Sequence, residues 1–227
     1  MRPSHASLLP LLFLLLSCEV PQDQDWYERP ESGVTYRSQG SRRDDPPPST
    51  VLFEEVPAPG GGTEVLFRTS DPAYLNPAGH AEWKIMDTST SSTASATVCR
   101  RQGSGTAGQG LIFAVRSKGG SFYFLAVMVN TKQQYTIAKY LAGKKTVIQD
   151  WKSSGLLQSG YGVRNTIRVS ASGGDISVYL NGSLETTFRD TASGGIPALS
   201  TGGHGYIVEI APNERLPSGS VEVAFTE

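Results

Sequence analysis

The sequence predicts an all-β domain, a two-sheet antiparallel β-sandwich, and three observations predict it. From Val51 onward short apolar runs alternate with clusters of Gly, Ser, Asn and Asp, and no stretch carries a 3.6-residue apolar period with helix caps. A composition of 25 glycines, 14 prolines and 38% hydrophobic residues fits a turn-rich β protein rather than a helical one. The dozen runs between residues 51 and 227 are more than one sheet could bury, so two packed sheets are required.

In order, the expected strands are residues 51–56, 82–86, 94–100, 111–116, 122–130, 134–141, 146–151, 166–170, 176–180, 184–189, 206–210 and 221–225. Several show which face they bury. Ile167 and Val169 alternate with Thr166, Arg168 and Ser170, and Val221, Val223 and Phe225 alternate with Glu222 and Ala224, the pattern of a strand wet on one side. Residues 111–115 and 122–129 are apolar at nearly every position, as in central strands covered on both sides or in a sheet whose outer face is an aromatic-rich groove. At Asn181-Gly182 a two-residue loop would pair Leu180 with Ser183. A three-residue loop would keep Ile176, Val178 and Leu180 on the face of Leu184, Thr186 and Phe188, and this longer loop, with Gly182 in the left-handed region, is the expectation.

Ahead of the sandwich the chain changes character twice. The first five residues carry one formal cation, Arg2, and residues 6–16 are apolar apart from Ser7, with Pro10 inside the run. This is far short of the roughly 20 apolar residues of a membrane-spanning helix, so a cleaved signal is expected. The run ends in Leu15-Leu16-Ser17-Cys18, which resembles the lipobox of a bacterial lipoprotein precursor. The resemblance implies a signal peptide over residues 1–17, diacylglycerol on the Cys18 thiol, and a lipid-anchored protein of the bacterial cell envelope, at the outer membrane or cell surface, whose first partner is the membrane. Residues 18–50 are polar and proline-bearing, through Pro21, Pro30 and Arg42-Arg43-Asp44-Asp45-Pro46-Pro47-Pro48, and read as a flexible tether holding the 51–227 domain off the bilayer; Trp26 and Tyr27 stand out within it.

The remaining cysteine, Cys99, lies in a strand-like run and is expected to be a small buried hydrophobe. A net charge of −1 argues against nucleic acid as a partner, and Arg100-Arg101 and Lys144-Lys145 read as solvated turn residues.

Taken in succession, Gly110-Leu111-Ile112-Phe113, Phe122-Tyr123-Phe124-Leu125-Ala126-Val127, Gln134-Tyr135-Thr136-Ile137-Ala138-Lys139-Tyr140, Asp150-Trp151, Asn165-Thr166-Ile167-Arg168-Val169 and Ile176-Ser177-Val178-Tyr179-Leu180-Asn181-Gly182 resemble a bacterial concanavalin-A-like (laminin-G-like) jelly-roll module. That superfamily includes lectins, adhesion modules and glycosidases, so the fold does not fix a function. Its glucanase branch uses a strand-borne Glu-x-Asp-x-x-Glu cluster, which places nucleophile and acid on one face at about 5 Å. No such cluster occurs here; Glu209 with Glu214 and Glu222 with Glu227 have the wrong spacing and surface readings.

The sequence also lacks His-Glu-x-x-His, Cys-x-x-Cys, Gly-x-Ser-x-Gly and a calcium loop, so neither metal nor cofactor is implied. His204 reads as a loop residue beside a turn, and the glycine-rich residues 103–110, without the P-loop lysine, as a mobile hairpin connection. The binding signal is aromatic. The resemblance places Tyr135, Tyr140, Trp151 and Tyr161 in or beside strands facing the groove of a curved sheet, where sugar rings stack on aromatic faces, although a strand aromatic is more often core. Two functions remain: non-catalytic binding of a polysaccharide or of a host or envelope protein, and a lipid-anchored glycoside-processing enzyme akin to keto-disaccharide hydrolases or glucanases.

Overall fold

The computed structural model describes the backbone of residues 35–37 and, with side chains, residues 52–69, 79–192, 198–211 and 221–227. Cys18, the signal and most of the segment read as a tether lie outside the described residues. The described chain is all strand: β1 (Thr35–Arg37), β2 (Phe53–Pro57), β3 (Thr63–Thr69), β4 (His80–Ser91), β5 (Thr93–Gln102), β6 (Gln109–Lys118), β7 (Ser121–Val129), β8 (Gln134–Leu141), β9 (Lys144–Ser153), β10 (Asn165–Ser172), β11 (Asp175–Leu180), β12 (Ser183–Arg189), β13 (Gly202–Ile210) and β14 (Val221–Thr226). They form two seven-stranded sheets: sheet A in the order β1-β4-β13-β6-β7-β8-β9, and sheet B in the order β12-β11-β10-β5-β14-β3-β2. Every pairing is antiparallel.

All twelve expected strands are present. The two that were not expected are β3, which pairs with β2 and β14, and β1, which pairs with β4 inside the segment read as tether. Four tight hairpins rest on paired positive φ angles, at Gly119-Gly120, Ala142-Gly143, Gly173-Gly174 and Asn181-Gly182, the geometry that matches the right-handed strand twist. The last corrects the expected loop. Leu180 pairs with Ser183 across two residues, not three, and a bulge between Val178 and Tyr179 then restores the faces, so that Ile176 and Val178 oppose Phe188 and Thr186. Leu184, left opposite Tyr179, is exposed.

The core lies between the sheets. Leu111, Phe113, Leu125, Val127 and Ile137 from sheet A pack on Val98, Ile167, Val169, Val223 and Phe225 from sheet B, each burial stabilising by about 1.5–3 kcal/mol. Phe225 also stacks on Tyr206 at 4.5 Å between ring centroids. A buried ion pair ties the sheets: Lys139 on β8 donates to both Asp190 oxygens at 3.0 and 2.8 Å and to the Thr191 carbonyl at 2.9 Å, while the Leu199 amide donates to Asp190 at 2.7 Å. Such a pair is sustained only because its remaining valences are met.

Three readings of polar residues change. Arg100 is not a solvated turn residue: it is 1% exposed inside the sandwich, donating to Gln109 Oε1 and the carbonyls of Gly108 and Glu209. Arg101 and Lys145 are each held in ion pairs, with Glu64 and Glu209 respectively. His204 is a strand residue of β13, its Nε2 3.4 Å from Glu227 Oε1, rather than a loop residue. Cys99 is buried beside Leu66 and Ala224, and burial raises its thiol pKa, which keeps it an inert thiol.

Candidate functional site

The face of sheet A turned away from sheet B carries a second apolar cluster, drawn from all of its central strands. Alternation puts Trp83 of β4, Phe124 of β7 and Tyr140 of β8 on this face, and their rings meet: Phe124 stacks on Tyr140 at 4.9 Å, and Trp83 lies 5.2 Å from Phe124 and 6.2 Å from Tyr140. Three strands separate β4 from β8, so a flat sheet would hold Trp83 and Tyr140 about 19 Å apart at their backbones. The face is therefore concave, with large side chains converging over small ones such as Ala126 and Ala138. At the bend Gly110 and Gly205 are required, because a Cβ on either would lie 2.0 Å from a carbonyl oxygen of the neighbouring strand.

Polar groups enter this face in two places. Glu209 accepts from Lys145 Nζ at 2.6 Å and from the Gly108 amide at 3.2 Å. It also faces Tyr140, whose phenol is held well above its ordinary pKa by burial, then by the charge of Glu209 and a hydrogen bond to it. Among the described residues none of these partners of Glu209 is a second carboxylate, and its closest contact is the Lys145 ammonium. The other group is Trp83, 2% exposed, whose indole Nε1 has no acceptor among the described residues.

The four aromatic candidates do not form one site. Tyr135 is corrected outright: it points into the core between the sheets, 1% exposed, with its phenol pushed up to about 12 by burial and then by Glu185, and it presents no face to a ligand. Tyr140 is on the concave face but 2% exposed beneath its neighbours, so it too is not a stacking platform. Trp151, on the edge strand β9, is half-buried against the same cluster. Tyr161 is different. It lies between β9 and β10 at one end of the sandwich and, at 52%, is the exposed aromatic among the large exposed apolar residues described.

Tyr161 is also held still. Its hydroxyl donates to the Gly103 carbonyl at 2.7 Å. The Gly105 carbonyl accepts from both the amide and hydroxyl of Thr131, at 3.1 and 3.0 Å, and the Thr131 carbonyl accepts from the Gly160 amide at 3.0 Å. Gly162 in turn donates to the Arg100 carbonyl at 2.9 Å. Loops 103–108, 130–133 and 154–164 are thus knitted together, and the glycine-rich stretch is a fastened part of this end that runs into β6. Gly105 is needed in the knot, since a Cβ there would lie 2.5 Å from Thr131 Oγ1. Within the same loop the hydroxyls of Ser104 and Thr106 lie 3.0 Å from each other. A fixed, exposed ring suits the apolar face of a sugar.

Trp83, Phe124, Lys145 and Glu209 were not singled out from sequence. The alternation Ala81, Trp83, Ile85 carried part of the signal, but a contact spanning five strands has none. Among the described residues no group of three His, Cys, Asp or Glu could hold a metal, and no helix is long and apolar enough to cross a membrane.

No family model and no curated protein matches the chain. Solved structures do. A Bacteroides ovatus mixed linkage glucan GH16 protein in complex with a product superposes with a TM-score of 0.53 at 6% identity, covering 77% of this chain and 83% of its own. The carbohydrate binding module CBM66 from Bacillus subtilis gives 0.49 at 15% identity, with 77% and 89% covered. Bacillus licheniformis beta-glucanase gives 0.47 at 11%, with 88% and 92% covered. At such identities the likeness is one of fold, carried by the first of these, and the fold is the jelly-roll sandwich that the sequence predicts.

Proposed function

We propose that this chain is a lipid-anchored envelope lipoprotein, attached through Cys18, whose sandwich binds a polysaccharide without cleaving it. The observation that carries the reading is Tyr161, a ring 52% exposed yet fixed by its own hydroxyl in a hydrogen-bonded loop cluster. Such a ring stacks on a sugar with little ordering cost, which suits the micromolar to millimolar affinity of a shallow, wet site. Binding is favoured over hydrolysis because the carboxylate of the concave face, Glu209, is engaged by Lys145 and the Gly108 amide. The apolar run ending in Leu15-Leu16-Ser17-Cys18 supports the anchor.

A glycan array with the full chain tests the reading. Tyr161→Ala should weaken binding about tenfold while Tyr140→Phe leaves it unchanged. Equal binding by Tyr161→Ala removes the proposed site, and turnover of an arrayed oligosaccharide that Glu209→Gln abolishes would make the protein an enzyme. For the anchor, a fatty-acid analogue should label the wild type and not Cys18→Ser.

A further inference from the structure

Charge is segregated along this chain. Residues 88–174 carry eleven Lys and Arg against a single acid, Asp150, although the whole sequence holds 20 basic and 21 acidic residues. The fold answers much of that excess with carboxylates drawn from outside the stretch: Arg101 and Arg164 meet Glu64, Lys139 meets Asp190, Lys145 meets Glu209 and Lys152 meets Glu185. Lys132 is different. It is exposed and enters none of the ion pairs among the described residues. The three knitted loops 103–108, 130–133 and 154–164 contain no Asp or Glu to meet it.

The turn that carries Lys132 is fixed. Asn130, 1% exposed, accepts through Oδ1 from the amides of Lys132 at 2.9 Å and Gln134 at 3.1 Å. Gln133 takes a φ of 59°, and its carbonyl accepts from the Ser154 amide at 2.9 Å. This is an Asx turn, in which the asparagine side chain holds the backbone that follows it. The lysine stem then lies against Gly105: a Cβ built there would be 3.7 Å from Lys132 Cε and 3.1 Å from the Tyr161 hydroxyl. One point touches both side chains, so the ammonium, one bond beyond Cε, stands near the hydroxyl edge of the exposed ring.

A cation at the edge of a stacking ring discriminates among sugars. The face of the ring accepts the C–H face of any pyranose, whereas the ammonium attracts a sugar that carries a carboxylate or sulfate at its edge and gains nothing from a neutral one. We infer that the Tyr161 end takes an acidic polysaccharide, with a sugar ring on Tyr161 and its anionic group on Lys132. The inference rests on the glycan reading of Tyr161 and adds the charge of the ligand to it. An exposed pair of this kind changes affinity about threefold per site and is screened by salt.

Titration calorimetry of the full chain with two pairs of probes tests it: tetragalacturonate against its methyl ester, and a sulfated against an unmodified oligodextran. At about 20 mM salt the acidic member of one pair should bind about threefold more tightly than its neutral counterpart, and about 0.5 M salt should erase the difference. The pair that shows it tells a carboxylate ligand from a sulfate one. Lys132→Gln should bring the acid-to-neutral ratio to about one, while Lys132→Arg keeps it. Lys144→Gln, which removes an equal charge from an exposed position at the start of β9, should keep it as well. Failure to bind either acid, equal binding within both pairs, a preference that survives in Lys132→Gln, or one lost equally in Lys144→Gln overturns the inference and leaves the Tyr161 reading standing. Tyr161→Ala that binds every probe as the wild type does removes both.

Discussion

The two outer faces of the sandwich solve the same problem in opposite ways. On sheet B, Leu66, Cys99 and Ala224 form a small apolar patch on the outer side, and the same face carries a roof of paired charges: Arg101 with Glu64 at 2.6 Å and Glu222 at 3.3 Å, Arg68 with Glu222 at 3.0 Å, and Arg164 with Glu64 at 3.5 Å. Arg168 lies 3.7 Å over the Tyr179 ring on the neighbouring strands. That face is finished against water by its own residues. The outer face of sheet A has rings where sheet B has arginines, with the Lys145–Glu209 ion pair beside them. One face is closed by paired charges over a small apolar patch; the other buries its rings against one another.

The largest effect expected from this difference is at Phe124. Its ring is fully buried between Trp83 and Tyr140, so Phe124→Ala should cost about 3–5 kcal/mol in urea unfolding. A loss below about 1 kcal/mol would mean that the outer face of sheet A is not packed, and the comparison between the faces would collapse.

Alkaline pH gives the next largest effect. Tyr135, Tyr140 and Tyr206 all have phenols raised above the ordinary value of 10.0, in each case chiefly by burial. Below pH 10 folded and unfolded chains are both protonated at these sites, and the native stability is complete. As pH climbs past 10 the unfolded chain releases protons that the native state keeps, so stability falls by about 1.4 kcal/mol per pH unit for each tyrosine, for Tyr135 until about 12. Urea midpoints at pH 9, 10 and 11 should show the fall, and Tyr140→Phe should make it shallower. A flat profile would mean that water already reaches these rings.

How far the sequence reveals this molecule depends on the range of the interaction. Period-two alternation and glycine pairs are local, and they locate strands such as β10 and β14 and the turn at Asn181-Gly182. The hairpin register was misread because a bulge can undo a turn's shift, and no local signal marks the bulge between Val178 and Tyr179. β3 was legible and passed over: Gly60-Gly61-Gly62 followed by alternating Val65, Phe67 and Thr69 is a hairpin signal. β1 was not legible, since three residues in a polar segment show no period. The same limit governs the site. Tyr161 could be named as an aromatic near a turn, but its exposure depends on Gly103 and Thr131, distant in sequence, and Trp83 meets Tyr140 only because the sheet curves.

The smallest effect separates the parts of the charged roof. Arg101 is half-sheltered, with its side chain 28% exposed, and Glu64 beneath it is only 2% exposed. Arg101→Ala leaves that carboxylate, among the described residues, with the Arg164 ion pair at 3.5 Å, and losing a charged hydrogen bond to a buried acceptor should cost about 2 kcal/mol. Arg68, 52% exposed, bonds to the rim of the network, so Arg68→Ala should cost less than about 1 kcal/mol and vanish in 1 M salt, where exposed pairs are screened. Urea unfolding of both variants at low and high salt distinguishes them. Equal, salt-erased losses would reduce the roof to surface decoration, and the burial of Leu66, Cys99 and Ala224 would then owe nothing to the charges above them.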